Sequence, residues 1–144
     1  MYFPERCIRG IPNNSYLVEG GSIGSQLFHF KEDHIREDGW VEESINWEDD
    51  RFAMKYTLKQ RVERGGKREL QFKAGVAIIP RCEIDRLKRQ LPVRERLLYE
   101  RQILENNPYH GNILLNGDVP KQVMKMIAAG LSLAVSEVFL REND

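Results

Sequence analysis

Two segments of the sequence decide the predicted fold: residues 52–58, FAMKYTL, and residues 70–78, LQFKAGVAI. In each segment apolar residues alternate with polar or small ones, and this period of two is typical of a β-strand with one face in the core. The glycine pair Gly65-Gly66 lies between the two segments. The pattern therefore predicts an antiparallel β-hairpin.

The register of this hairpin follows from the apolar and charged positions. A two-residue loop at Gly65-Gly66 would set Leu58 opposite Lys73, so that an apolar and a charged side chain share the core face. A three-residue loop, Arg64-Gly65-Gly66, sets Leu58 opposite Phe72 and places opposite charges across the strands. We therefore expect the three-residue loop, with its last glycine in the left-handed conformation.

Further strands are expected on either side of this hairpin. Residues 15–19 and 26–30 form short apolar runs that flank a glycine-rich loop, and another strand is expected to end near Trp47. Pro80 is expected to end the second strand of the hairpin, because proline has no backbone N–H to donate. Together these segments predict an antiparallel sheet of four to five strands in the N-terminal half.

The C-terminal half has mainly helical periodicity. Ile84, Leu87 and Leu91 predict a short helix, and a stripe of apolar residues over 93–104 predicts a second helical segment after Pro92. Residues 113–115, ILL, are expected to be a strand or an extended loop, followed by a turn at residues 116–118.

A long helix is predicted over residues 120–140, with an apolar stripe from Val123 to Val138. We therefore expect a single α+β domain over residues 1–144, mainly strands in 1–80 and mainly helices in 81–144, with the helices packed on the sheet. Small residues at Ala129, Ser132 and Ser136 would let a neighbouring element approach this helix closely. They predict a homodimer through the C-terminal helix.

The composition indicates a cytoplasmic globular protein. The 22 basic residues and 22 acidic residues give a formal net charge of zero, which argues against binding nucleic acid through overall positive charge. The longest uncharged apolar stretch, residues 126–136, is too short to span a bilayer. No signal peptide is evident, and Cys7 and Cys82 lack the spacing of a disulfide framework. We expect no contact with a membrane.

Charge is distributed unevenly along the chain. Residues 32–50 carry nine acids and one base, whereas residues 51–101 carry fifteen bases and six acids. Two interpretations stay open: the two segments neutralise each other in the fold, or the basic segment contacts an anionic molecule or another protein. The candidate anion contacts are Lys59, Arg61, Arg64, Lys67 and Arg68.

Residues 109–112, YHGN, concentrate chemically versatile side chains in a predicted loop. His110 could exchange a proton near neutral pH, and Tyr109 or Asn112 could orient a ligand. No nucleophile motif accompanies them, and His29, Asp33 and His34 match no zinc spacing, so we expect no metal and no cofactor.

These observations predict a small cytosolic binding or interaction module without catalytic residues, whose ligand-contact candidates are Tyr109, His110 and Asn112. A small enzyme centred on His110 is one alternative, and a cavity holding His110, Asn112 and a carboxylate would favour it. A nucleic-acid-associated protein that uses the basic hairpin is the other alternative.

Overall fold

A six-stranded antiparallel sheet forms the centre of the fold in a computed structural model, which describes residues 2–18, 22–92 and 94–141 apart from the side chain of Glu32. The strands are β1 (Arg6–Ile11), β2 (Trp40–Trp47), β3 (Arg61–Arg64), β4 (Lys67–Leu70), β5 (Gly75–Pro80), β6 (Leu97–Arg101), β7 (His110–Asn116) and β8 (Glu137–Leu140). The α-helices are α1 (Ala53–Lys59), α2 (Arg81–Gln90) and α3 (Lys121–Ala134).

The strand order in the main sheet is β6-β7-β2-β1-β5-β8, and every neighbouring pair is antiparallel. Within the described residues, the strands β3 and β4 pair only with each other. The predicted α+β class with an antiparallel sheet is therefore confirmed. The predicted four to five strands in the N-terminal half were wrong in detail, because β6, β7 and β8 come from the second half of the chain.

The sheet separates two apolar clusters. The larger core includes Phe28, Trp47, Leu115 and Ile127 and lies on the side of α2 and α3. The smaller cluster, Ile8, Ala53, Val76 and Ile78, lies on the opposite face, where α1 covers the sheet. The strand predicted to end near Trp47 is β2, and β5 ends at Pro80 as predicted.

The helix α1 replaces the first strand of the predicted hairpin. Its buried residues Ala53 and Thr57 are four apart, as are the half-buried Met54 and Leu58, so both pairs lie on the inner face of a helix. An alternating pattern over seven residues also contains the i, i+4 pairs of a helix. The period of two was therefore not decisive here.

The predicted three-residue loop was also wrong. Arg64 pairs with Lys67 across a two-residue turn, and Gly65 and Gly66 both have positive φ, 57° and 79°. This is the type I′ geometry that matches the twist of paired strands. The objection to a two-residue loop assumed that Leu58 and Lys73 belong to the ladder. They lie outside β3 and β4, and β5 pairs with β1 and β8 instead.

Two predicted N-terminal strands are short 3-10 turns in the structure, at Asn14–Tyr16 and Ser25–Phe28. In the second turn Leu27 and Phe28 are adjacent and both buried, which an alternating strand does not allow. Residues 19–21, in the predicted strand and glycine loop, lie outside the described residues.

Parts of two predicted helical segments are strands. Residues 97–101 form β6, in which Leu97 faces the larger core, while Val93 lies outside the described residues. The helix α2 and the turn after β7 are confirmed, but α3 ends at Ala134 and residues 137–140 form β8. Val138 and Phe139 have high strand propensity, and β5 offers them an open edge.

The structure does not place all three predicted small residues on one free face of the C-terminal helix. Ser136 lies beyond α3, and the Ser132 hydroxyl donates to the carbonyl oxygens of Gly24 and Ala128, at 3.2 and 3.1 Å. Ser132 thus contacts its own chain.

Within the described residues, no helix has both the length and the apolar character needed to cross a membrane.

A buried ion pair ties the Ser25–Phe28 turn to the sheet. The Arg9 guanidinium lies 2.7 Å from Glu43 Oε2 and also donates to the carbonyl oxygens of Leu27 and Ser44. Glu43 is 2% exposed, and its Oε1 has no hydrogen-bond partner among the described residues. Burial raises the pKa of Glu43 to about 7, although the charges of Arg9 and Lys31 oppose this shift.

The raised pKa of Glu43 predicts that stability falls as pH rises. Between the ordinary pKa of 4.5 and about pH 7, Glu43 keeps its proton in the folded state but has lost it in the unfolded state. Over this range the free energy of unfolding should fall by on the order of 3 kcal/mol. Urea denaturation at about pH 5 and about pH 8 measures the fall. Glu43→Gln should show much less of it, and an equal fall in both proteins would contradict the assignment.

Candidate functional site

A half-open cavity of about 250 Å³ lies on the sheet face that α1 covers. Its floor comes from β1, β2 and β7, and its walls come from α1, from residues that flank the β3–β4 pair, and from the loop before β7. Most of its lining is polar and is rich in side-chain amides: Ser44, Asn46, Thr57, Gln60, Arg61, Gln71, Asn106, Asn107 and His110.

Strand register brings the floor residues together. Asn46 on β2 is opposite Ile8 on β1 and His110 on β7, so the three side chains share one face of the sheet. Neighbouring Trp47 belongs to the larger core on the other face. The alternation along β2 therefore places Asn46 in the cavity floor while Trp47 anchors the strand.

The buried side chain of Asn46 joins the floor to two walls. Its Nδ2 donates to Thr57 Oγ1 and Gln60 Oε1, at 2.8 and 2.7 Å, and its Oδ1 accepts from Asn107 Nδ2 at 2.9 Å. Thr57 Oγ1 in turn donates to the carbonyl oxygen of Ala53 at 2.8 Å. We call Asn46, Thr57, Gln60 and Asn107 the amide network. Since both amide protons of Asn46 are used, the network holds the end of α1 and the loop in fixed positions.

His110 presents a hydrogen-bond acceptor to its surroundings. Its Nδ1 lies 3.1 Å from the carbonyl oxygen of Gln102, which can only accept a hydrogen bond. The neutral imidazole is therefore assigned a proton on Nδ1, and Nε2 keeps a free lone pair. His110 lines the cavity, and its role as a ligand contact stays a prediction.

The other two ligand-contact candidates do not line the cavity. The Tyr109 hydroxyl lies 3.0 Å from Asp50 Oδ1, and its ring packs on Tyr56 with centroids 5.3 Å apart. Burial and this contact with Asp50 raise the pKa of Tyr109. Asn112 is fully buried and donates to Glu100 Oε1 and Gln102 Oε1, at 2.9 and 2.8 Å. It is opposite Ser44 on β2, two residue pairs along the ladder from the pair of His110 and Asn46.

The cavity holds one of the three groups, His110, Asn112 and a carboxylate, that together would favour an enzyme. It contains His110, but it contains neither Asn112 nor, among the described residues, any Asp or Glu. The Glu100 carboxylate beside Asn112 is held by Arg36, whose Nη1 lies 2.5 Å from it.

Of the five anion-contact candidates, Arg61 alone lines the cavity. Lys59 ends α1, and Arg64, Lys67 and Arg68 are exposed on β3 and β4.

Among the described residues, the acidic segment, residues 32–50, forms no ion pair with these five bases. Its strand β2 pairs with β1 and β7, and neither belongs to the basic segment. Glu48 is paired with Arg6 at 2.7 Å, and Asp49 with Arg101 at 2.6 Å. Among the described residues, Arg101 is the one base of residues 51–101 that forms an ion pair with the acidic segment. The structure therefore does not support the interpretation that the acidic segment neutralises these five bases.

Sequence reasoning missed most of the lining: Asn46, Thr57, Gln60, Gln71 and Asn107. One signal was available, since Ser44 and Asn46 alternate with Ile45 and Trp47 and so mark a polar face on a strand.

No family model matches this chain, and no curated protein or solved structure matches it either. A functional conclusion therefore depends on the chemistry of the site alone.

The amide network predicts a large difference between two adjacent asparagines. Asn107→Ala leaves Asn46 Oδ1 and the Tyr109 N–H without their partner and should cost about 2 kcal/mol of stability. Asn106→Ala removes an exposed side chain and should change stability by less than about 0.5 kcal/mol. Chemical denaturation of both variants measures this. Equal effects would contradict a structural role for Asn107.

Proposed function

We propose that the protein is a binding module that holds a small polar ligand in this cavity. The observation that carries the proposal is the lining, in which side-chain amides are held in place before any ligand arrives. A site whose polar groups are already fixed does not lose the free energy of ordering them when the ligand binds.

The lining suggests the chemical class of the ligand. Amide groups offer both donors and acceptors, and Nε2 of His110 offers a further acceptor. Arg61 at the edge favours a ligand with a negatively charged group. Binding cavities for drug-sized molecules start at roughly 300 Å³, so a volume of about 250 Å³ suits a small metabolite.

Binding is better supported than acid–base catalysis. The Nδ1–H of His110 is directed to a backbone carbonyl oxygen. A catalytic imidazole is often oriented by a carboxylate, which also stabilises the protonated ring. No described carboxylate lines the cavity to play that part. His110 is therefore proposed as a ligand contact, and the enzyme centred on it stays the weaker alternative.

Ligand-dependent NMR shifts test the proposal. Nucleoside monophosphates, hexose phosphates and glutamate, added singly at millimolar concentration, cover small polar molecules that carry a negatively charged group. We expect at least one of them to shift the side-chain amide signals of Gln60 and Gln71 and the ring signals of His110.

A matched pair of variants locates the binding site. Gln71→Met keeps the volume of the lining but removes its amide, so it should weaken binding at least about tenfold, equivalent to 1.4 kcal/mol. Gln90→Met makes the same exchange at an exposed position on α2 and should have no effect. The proposal fails if no probe shifts the cavity signals or if both variants bind equally well.

We also propose a cytoplasmic homodimer that forms through α3. Met126 and Leu133 are 70% and 87% exposed, and Ala129 lies between them on the same outer face. This face differs from the predicted stripe, because Ser132 contacts its own chain. The proposed dimer would bury this apolar surface.

Light scattering tests the dimer. Wild type should be dimeric at micromolar concentration, and Leu133→Lys should be monomeric and folded, because an unpaired charge is costly in an apolar contact. Lys125→Gln, on an exposed position of the same helix, is the control and should stay dimeric. A monomeric wild type would contradict the proposal.

A further inference from the structure

The strands β3 and β4, with the turn between them, form a separate ribbon that we call the basic ribbon, residues 61–70. In the part of the chain that the structure describes, it pairs with no strand of the main sheet, and residues 61 and 63–68 are exposed. The hydrogen bond from Gln71 N to Gln60 O, at 2.8 Å, closes its base, and the hydrogen bond from Lys73 N to Pro12 O, at 3.1 Å, anchors it to the segment after β1. An unsupported two-stranded ribbon is marginally stable in water, so this anchoring keeps it folded.

The ribbon has more bases than acids. Residues 59–73 contain six bases and two acids. Of these acids, Glu69 is held by Lys73 at 3.0 Å and lies near Arg64. Among the described residues, Arg61, Arg64, Lys67 and Arg68 form no ion pair. Five acids of residues 32–50 pair with arginines outside the ribbon: Asp38, Glu42, Glu43, Glu48 and Asp49. The four bases of the ribbon are therefore able to meet an external anion.

Strand pairing fixes where these bases lie. Arg64 is directly opposite Lys67, next to the turn, so these two side chains share one face of the ribbon. Arg68 is opposite Glu63 and lies on the other face together with Arg61. Both faces therefore carry bases, and the glycine turn keeps the tip narrow.

We propose that the basic ribbon binds duplex DNA by entering its major groove and contacting phosphates with Arg64, Lys67 and Arg68. The major groove of B-DNA is about 12 Å wide and admits a two-stranded β-ribbon. The major groove of duplex RNA is too narrow and deep for such an entry. Residues 61–70 contain no aromatic side chain on which a base could stack, which disfavours single strands.

This proposal agrees with the zero net charge of the chain. Binding through phosphates depends on local charge and on the release of counterions, and it carries no sequence information by itself. A ribbon with a few phosphate contacts should bind weakly, without sequence preference, and with a strong dependence on salt. It does not require a ligand in the cavity.

Fluorescence anisotropy with a labelled DNA duplex of about two helical turns tests the proposal across a range of salt concentrations. The test variant is Arg64→Gln/Lys67→Gln/Arg68→Gln. The matched control, Arg89→Gln/Arg94→Gln/Lys125→Gln, removes the same charge from exposed positions outside the ribbon. Single-stranded DNA of the same sequence and anionic lipid vesicles are compared with the duplex.

Wild type and the control should bind the duplex alike, and more tightly than the single strand or the vesicles. The test variant should lose about tenfold or more in affinity at low salt, and its slope of log K against log salt should be smaller by about two to three. Lys67→Glu alone should show a smaller loss in the same direction.

Circular dichroism checks that the variants are folded, which is expected because their changed side chains are exposed. The proposal is overturned if wild type does not bind the duplex. It is also overturned if the test variant and the control lose affinity equally, or if vesicles or single strands bind as tightly as the duplex.

Discussion

The side-chain amide of Asn46 is the constraint on which the site depends. It is 4% exposed and lies between the sheet and α1, where an amide without partners would cost a large part of the stability of a small protein. Its partners come from α1, from the residue after α1 and from the loop before β7. Satisfying this one amide therefore fixes the end of α1 and the loop before β7, the two walls that it contacts, and the cavity lies between them and the sheet.

Part of the fold could be predicted because its signals are local. Pro80 ends β5, and the spacing of Ile84 and Leu87 marks α2, since both signals act within a few residues. The segments that were misassigned are short: α1 has seven residues and β8 has four. At that length a helix and a strand can place the same apolar residues in the core. The choice depends on which edge or face is open, and distant parts of the chain decide that.

The candidate site, like the fold, could be predicted only in part. His110 and Arg61 could be named because their side chains have a distinctive chemistry in any surroundings, and both line the cavity. The amide network could not be named, because it joins Asn46 to Asn107, which is 61 residues away in sequence. Asn112 was named for its amide, yet its Nδ2 is used by Glu100 and Gln102. Residue type indicated candidates, and only strand register could place them.

A double-mutant cycle between Asn46→Ala and Thr57→Val tests the central claim most directly. If the amide network holds α1 against the sheet, each substitution removes the same hydrogen bond, so their effects on unfolding free energy overlap. The structure predicts a coupling energy of about 1 kcal/mol or more, measured by urea denaturation of wild type, both single variants and the double variant. Additive effects, with a coupling below about 0.3 kcal/mol, would contradict it.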